Sequence, residues 1–389
     1  MKEVFKKTAK SCTIDVDKRK EEIMTKEIRC YGCGAVIQSA DVNKIGYVPK
    51  NTKSEHILCQ RCFRMKNYHE LQASPLSADD FLKTLQKIAD EDCLVVYMLD
   101  IFDFNGSQIA GIQRHLGNKD LLLVVNKRDV LPKSLKSGRL LMWIRRQLKE
   151  IGLKPLDIIL SSTKNKIGLD DVFGAIEHYR CQRNVYVVGT TNVGKSSLIN
   201  HMLQAFKEEQ EKPLLITTSE FPGTTLDIIE IPLGDGSYIY DTPGIINESQ
   251  VTHYVSQKDL KLILPSSEIK QRVYQLNEKQ TLFVGGLARF DFVKGDKLAV
   301  MCYFSNRLEL HRTKLENAKD LFNRHQTLKV EATNTDGMDS FKKYNFHLKN
   351  QRVDIVIEGL GWFSFRAVNH EISLHVPSGV GVLIRENLI

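Results

Sequence analysis

The chain contains several short, unbroken apolar runs, each stopping at a polar residue or a glycine. Cys93–Leu99 reads CLVVYML and ends at Asp100, and Leu121–Val125 reads LLLVV and ends at Asn126. Asp157–Leu160 reads DIIL before Ser161, and Asn184–Val188 reads NVYVV before Gly189. Runs this short, without polar–apolar alternation, predict parallel strands covered on both faces. Helical spacing lies between them. Ser77-Ala78-Asp79-Asp80-Phe81 marks a helix start with Leu82, Leu85 and Ile88 on its apolar face. Residues 139–150 read as an amphipathic helix, and Ser197–Leu203 reads as a further helix. Alternating strands and helices predict an α/β domain with a parallel sheet. Leu226–Pro232 and Ser237–Tyr240, joined by Gly234-Asp235-Gly236, predict a hairpin.

Beyond residue 250 the pattern changes. Residues 250–280 read as a linker with short helices. Thr281–Phe292, Leu298–Phe304, Val353–Glu358, Trp362–Phe365 and Val380–Arg385 read as strands. Thr313-Lys314-Leu315-Glu316 fits a capping box opening a helix toward residue 325, and 331–340 reads as a polar loop. The expected division is a leader at 1–27, a small cysteine-bearing module at 28–74, an α/β domain at 75–249 and a β-rich domain at 250–389.

Charge adds to this division. The net charge is +8 over 389 residues, but 1–74 carries +6, 75–249 carries −3 and 250–389 carries +5. Basic ends around a slightly acidic centre suit a protein whose flanks touch nucleic acid, or a surface with incidental bias. No run approaches a membrane span, and the N-terminal stretch has acids and no apolar core of a signal, so a cytoplasmic location is expected and no membrane partner.

The decisive stretch is Gly189-Thr190-Thr191-Asn192-Val193-Gly194-Lys195-Ser196, which fits G-x-x-x-x-G-K-[ST] between a predicted strand and a predicted helix. Such a loop cradles phosphates with backbone N–H groups from Gly189 through Ser197, and the helix start adds favourable partial charge. Lys195 would meet the β- and γ-phosphates and Ser196 would give a hydroxyl to Mg²⁺. Glu220–Thr225 reads as a first switch. Thr225 is the expected second Mg²⁺ hydroxyl and Thr224 its rival. Asp241-Thr242-Pro243-Gly244 fits D-x-x-G, with Asp241 holding Mg²⁺ through water and the Gly244 N–H sensing the γ-phosphate. Asn126-Lys127-Arg128-Asp129 fits N-K-x-D at a strand end. There Asp129 can accept from the N1–H and N2–H₂ of guanine, a pair that adenine lacks. Asn126 would brace the loops, and the Lys127 stem would lie over the base. Ser161-Ser162-Thr163 occupies the position of a guanine-O6 loop whose usual form is S-A-K.

Two C-x-x-C knuckles, Cys30/Cys33 and Cys59/Cys62, are separated by 25 residues. That spacing suits Zn²⁺ held by four thiolates in a treble-clef-like finger, with disulfides as the rival reading. Four thiolates leave no open coordination position, so the finger is expected to be structural. Arg61, Arg64, Lys66, Tyr68 and His69 lie around the second knuckle as candidate RNA contacts or a solvated rim.

The guanine loops precede the phosphate and switch loops, which reverses the usual order. Circular permutation explains this, since domain termini are often close together. The rotated order, the leading cysteine finger, and the runs Asp103-Phe104-Asn105-Gly106-Ser107 and Gly359-Leu360-Gly361-Trp362 resemble the YqeH family of circularly permuted bacterial GTPases. The resemblance spans nearly all of 28–389. It implies a role in small-ribosomal-subunit assembly, contact with rRNA and slow GTP hydrolysis. Ile245 stands where many GTPases carry a water-orienting Gln, so intrinsic turnover should be slow. Asn192 is a candidate potassium ligand, or only a brace for its loop. Arg289, Phe290, Phe292, Trp362, Phe363 and Arg366 are candidate RNA-stacking and phosphate groups, against a reading in which most of the rings are core. A nucleotide-gated RNA-binding scaffold with incidental hydrolysis is the alternative function. A metal-trafficking GTPase is a third.

Overall fold

The structure, a computed structural model, describes residues 36–40, 46–49, 59–60, 78–209, 217–220, 227–323, 328, 330–333 and 340–389. The chain divides into two compact units, Met1–Tyr68 and His69–Ile389. In the first, the Gln38 N–H donates to the Gly46 carbonyl at 2.9 Å and the Val48 N–H to the Gln38 carbonyl at 2.8 Å. Cys59 is buried beside them, and the Gln60 N–H donates to the Tyr47 carbonyl. Cys30, Cys33 and Cys62 lie outside the described residues, as do Arg61, Arg64, Lys66, Tyr68 and His69.

The second unit opens with helix α1 (Ala78–Asp90), which buries Leu85 and Ile88 as its periodicity predicts. Strand β1 (Cys93–Asp100) is buried at every position. It is followed by α2 (Ile112–Leu116), β2 (Asp120–Asn126), α3 (Ser137–Glu150), β3 (Asp157–Leu160), α4 (Leu169–Arg180), β4 (Asn184–Val188) and α5 (Lys195–Glu209). Then come β5 (Thr217–Glu220), β6 (Asp227–Pro232) and β7 (Tyr238–Asp241). The sheet order is β3-β2-β1-β4-β7-β6-β5. The five strands from β3 to β7 run parallel, and β6 and β5 continue antiparallel. β1 sits inside the sheet between β2 and β4, and every one of its residues is buried. Its unbroken hydrophobic run follows from that position. The loops that carry the motifs leave the C-terminal ends of β2, β3, β4 and β7, where ligands of parallel α/β sheets bind.

Residues 250–280 hold the expected short helices, with a strand added. A 3₁₀ turn at Val251–Tyr254 and helix α6 (Gln257–Ile263) lead into β8 (Arg272–Leu276). The single strand expected over 281–292 is two, β9 (Gln280–Val284) and β10 (Ala288–Lys294), paired antiparallel about a turn at Gly285–Leu287. After β11 (Leu298–Phe304), the Thr313-Lys314 of the expected capping box instead ends a strand, β12 (Leu310–Lys314). A 3₁₀ turn and α7 (Ala318–Asn323) follow it. Strands β13 (Phe341–Leu348), β14 (Gln351–Ile357), β15 (Gly361–Ala367), β16 (His370–Pro377) and β17 (Val382–Glu386) complete two five-stranded sheets. Their orders are β12-β9-β10-β16-β13 and β17-β14-β15-β11-β8.

The two sheets bury Phe290, Phe292, Phe304, Phe363 and Phe365 in one core, with the Phe290 and Phe363 rings 4.7 Å apart. The second sheet is also covered on its other face. Tyr303, Val356 and Trp362 belong to the same core as β1, and Trp362 lies 5.7 Å from Phe102. This overturns the stacking role considered for Phe290, Phe292, Trp362 and Phe363. All four are fully buried: Phe290, Phe292 and Phe363 lie in the core between the two sheets, and Trp362 lies on the other face of the second sheet, against the core of β1. Arg289 is paired with the buried Asp291 at 2.7 Å, while Arg366 is exposed.

Candidate guanine-nucleotide site

Helix α5 begins at Lys195 directly after the loop at the end of β4, so the strand–loop–helix context required of a phosphate loop is present. Asn192 takes a left-handed conformation, φ 63°, and is exposed at the lip of the loop. Val193 is buried, and Ser196 and Ser197 are half-buried at the start of α5. The Lys195 ammonium lies inside the loop and donates to the Gly189 and Thr190 carbonyls, each at 2.8 Å. Burial pushes it down to about 8, against the opposing pull of Asp241.

The D-x-x-G segment lies alongside. The Thr191 N–H donates to the Ile245 carbonyl at 2.8 Å, and the Ile245 N–H returns to Gly189 at 3.4 Å. Asp241 is buried at the end of β7, and the Thr242 hydroxyl donates to the Val187 carbonyl at 2.8 Å. Gly244 is packed so closely that a Cβ there would sit 2.9 Å from the Lys195 Nζ. The backbone assigned to sensing a γ-phosphate is therefore beside the ammonium assigned to binding it. Thr224 and Thr225 lie outside the described residues.

The guanine loops reach the same place from the other half of the motif order. The Asn126 amide donates to the Val193 carbonyl at 2.7 Å and to the Thr163 hydroxyl at 3.1 Å. Its oxygen accepts from the Thr163 N–H at 3.0 Å and the Ser161 hydroxyl at 3.3 Å. Gly194 has φ 103°, and any Cβ there would fall 2.2 Å from the Asn126 Nδ2. Glycine is thus required by this close approach as well as by the turn. Asp129 accepts from the Ser162 hydroxyl at 2.6 Å. Ser162 therefore orients the Asp129 carboxylate, and Ser161 braces Asn126. Set one residue on, Ser162-Thr163-Lys164 departs from S-A-K only at Thr163. Lys127, with φ 65°, sends its ammonium to Asp100 at 2.7 Å.

Three residues with no motif complete the arrangement. The His201 ring meets the Thr163 carbonyl at 2.7 Å, tying α5 to the guanine loop. Asp100 anchors Lys127 and also accepts from the Phe102 N–H at 2.9 Å. Gln250 donates to Asp103 at 2.6 Å and to the Gly106 carbonyl at 3.0 Å. The one sequence signal for these positions is that Asp100 and Asp103 flank a strand end in a parallel sheet. Burial raises the Asp103 carboxyl to about 7 despite hydrogen bonds from Gln250 and the Gly359 backbone. A cleft bounded by Asp100, Asp103, Lys127, Asn192 and Gln250 runs along this junction.

Comparison with known proteins agrees with the geometry. A family described as "50S ribosome-binding GTPase" matches residues 184–284, and one described as "YqeH-like, C-terminal" matches 297–388. The Bacillus subtilis protein YqeH is 49% identical over 367 residues, covering 93% of this chain and 100% of that protein. The chain belongs to the YqeH family. It is a GTPase with a β-rich C-terminal region. An Oryza sativa protein named putative nitric oxide synthase is 30% identical, covering 86% of this chain and 69% of its own. GNP-bound YlqF from T. maritima is 18% identical with a TM-score of 0.31, covering 47% of this chain and 71% of that one.

Among the described residues no group of three or more His, Cys, Asp or Glu side chains is placed to hold a metal ion. None of the described helices is long and apolar enough to cross a membrane.

Proposed function

We propose that this family member is a GTP-driven switch that assists ribosome assembly, with rRNA or a small-subunit precursor as its partner. GTP would bind between the two sets of loops. Asp129 would read the base, Asn126 and Lys127 would hold the pocket, and the 189–197 backbone with Lys195 would take the phosphates. Ser196, Thr225 and Asp241 are the groups for Mg²⁺, which would neutralise charge on the transferred phosphoryl group. A half-buried hydroxyl at the head of α5 and a buried carboxylate beside Lys195 suit a hard cation. Asn192, at the lip of the loop, is the group for potassium. Cys30, Cys33, Cys59 and Cys62 would hold one structural zinc, checked by metal content per chain.

One observation carries the switch reading. The segment after Gly244 bonds to the loop after β1 and to the C-terminal sheets at the same time. The Asn247 amide donates to the Gly106 carbonyl at 2.8 Å, and the Val251 N–H to the Glu358 carbonyl at 2.8 Å. The Gly381 N–H returns to the Ser249 carbonyl at 2.8 Å. Movement of Gly244 on loss of the γ-phosphate therefore has a direct route into the β-rich region. Capture of ribosomal particles on the full chain, loaded with a non-hydrolysable GTP analogue or with GDP, tests this. Retention with the analogue and release with GDP is expected. Equal retention in both states would rule out the switch. The particle retained also decides between the small subunit and the 50S subunit named in the description of the family matched at 184–284.

Ile245 favours the alternative of a nucleotide-gated scaffold in which hydrolysis is incidental. Its backbone is bonded into the phosphate loop and its side chain packs against the core, so it cannot orient water. A variant that binds GTP without hydrolysing it stalls assembly if the chain is a switch, and supports assembly if it is a scaffold.

A further inference from the structure

The α/β domain is acidic as a whole, yet one stretch of it is strongly basic. Residues 133–154, centred on α3, carry seven Lys/Arg against a single acid, Glu150. Lys133, Lys136, Arg139, Arg145, Lys149 and Lys154 are all exposed, and none of them forms an ion pair among the described residues. The seventh, Arg146, pairs with Glu386 at 2.8 Å, with both side chains about half exposed. Helix α3 has 14 residues, a length of about 21 Å, so the cations form a stripe three to four turns long.

The opposite face is already used. Leu140, Trp143, Ile144 and Leu148 are buried in the core shared with β1. Trp143 donates through Nε1 to the Glu386 carbonyl at 3.1 Å and lies under the Arg385 guanidinium at 5.0 Å. No apolar face is left to enter a lipid surface. The outer stripe presents Met142 as its single large apolar residue within the helix, whereas protein docking patches centre on apolar and aromatic anchors. A row of unpaired cations that outnumber the one apolar side chain among them is complementary to a phosphate backbone.

We infer that the outer face of α3 is an RNA-docking surface that engages phosphates through Arg139, Arg145 and Lys149 with their basic neighbours. This inference rests on the RNA reading above and assigns part of that contact to the GTPase domain itself. The surface starts directly after the guanine-reading loop, and its helix packs through Trp143 on the C-terminal strand β17. Docked RNA would therefore lie across the junction of the nucleotide domain and the β-rich region.

The test is a salt titration of the full chain binding a short fluorescein-labelled RNA duplex. The triple variant Arg139→Gln/Arg145→Gln/Lys149→Gln should bind at least tenfold more weakly near about 0.1 M salt. Its slope of log affinity against log salt should be shallower by about 2–3, roughly one released counterion per lost contact. GDP binding and GTP turnover should be unchanged, which also shows that the variant folds. Arg139→Lys/Arg145→Lys, which keeps the charge, should bind like wild type. Wild-type affinity and slope in the triple variant would overturn the assignment and leave the RNA reading standing. No duplex binding by wild type would defeat both. Tighter capture by phosphatidylglycerol vesicles or by poly-glutamate, lost in the triple variant, would show the wrong occupant and overturn it too.

Discussion

The Asn126 side-chain amide donates to the Val193 backbone carbonyl at 2.7 Å, across 67 positions of sequence. One residue belongs to the guanine motif and the other to the phosphate loop, so this bond closes the two halves of the site. Asn126→Ala would leave the Val193 carbonyl and the Thr163 N–H without their partner in a buried setting. At about 1–3 kcal/mol per orphaned group the melting temperature should drop, and GDP affinity should fall by at least about tenfold as the pocket loses its brace. Fluorescent-GDP binding and thermal denaturation check this.

Asp103 gives the fold a pH dependence of known sign. Its folded-state value of about 7 lies above that of an unfolded aspartate, so the native state holds the proton over a window in which the unfolded chain has lost it. Its contribution to stability is present at about pH 4 and is lost as the pH rises through about 7. Asp103→Asn should be neutral or mildly destabilising near pH 5 and stabilising relative to wild type near pH 8. Melting curves at the two pH values measure the difference.

Arg385 lies between the Trp143 and Trp362 rings, at 5.0 and 5.2 Å, and bonds to Asn105 at 2.8 Å. Its guanidinium also faces the buried Asp354 at 3.5 Å. Arg385→Leu leaves that carboxylate without its counter-charge and should cost about 3–5 kcal/mol in denaturant unfolding. Arg385→Leu with Asp354→Leu should recover much of the loss, because both charges are then gone.

The potassium role proposed for Asn192 can be tested apart from its backbone role, because its φ is 63°. Glycine keeps that conformation and removes the amide. Asn192→Gly should retain GDP binding and lose most of the excess turnover in potassium over sodium. Steady-state hydrolysis in the two salts decides it. A potassium effect that survives in the variant would assign Asn192 to bracing alone.

The candidate nucleotide site was readable because its motifs are written in contiguous runs. Gly189–Ser196, Asn126–Asp129 and Asp241–Gly244 each carry their own spacing, and the apolar runs ahead of them fix the strands. Contacts made by folding were less legible. His201 and Gln250 look like ordinary polar residues until α5 and the segment after Gly244 bring them to Thr163 and Asp103. The β-rich region was the least legible. Strand β13, KKYNFHL after Phe341, has polar residues on its exposed side, and β12 begins only three residues before its sequence imitates a helix cap. Trp362 and Phe363 are adjacent and point to opposite faces of one strand, so half of that aromatic content had to be exposed or meet a second partner. The partner is the GTPase domain, which composition could not disclose.

The most direct measurement is the nucleotide specificity of Asp129→Asn. A carboxylate at 129 would accept hydrogen bonds from guanine, whereas an amide would offer a donor that suits the C2 carbonyl of xanthine. A single pocket built from transposed halves predicts that Asp129→Asn loses GTP turnover and gains XTP turnover. Lys195→Ala added to it should abolish both, because the same phosphate loop serves either base. Wild-type GTP hydrolysis in Asp129→Asn would contradict the pocket, since Asp129 and Lys195 would then not share one nucleotide.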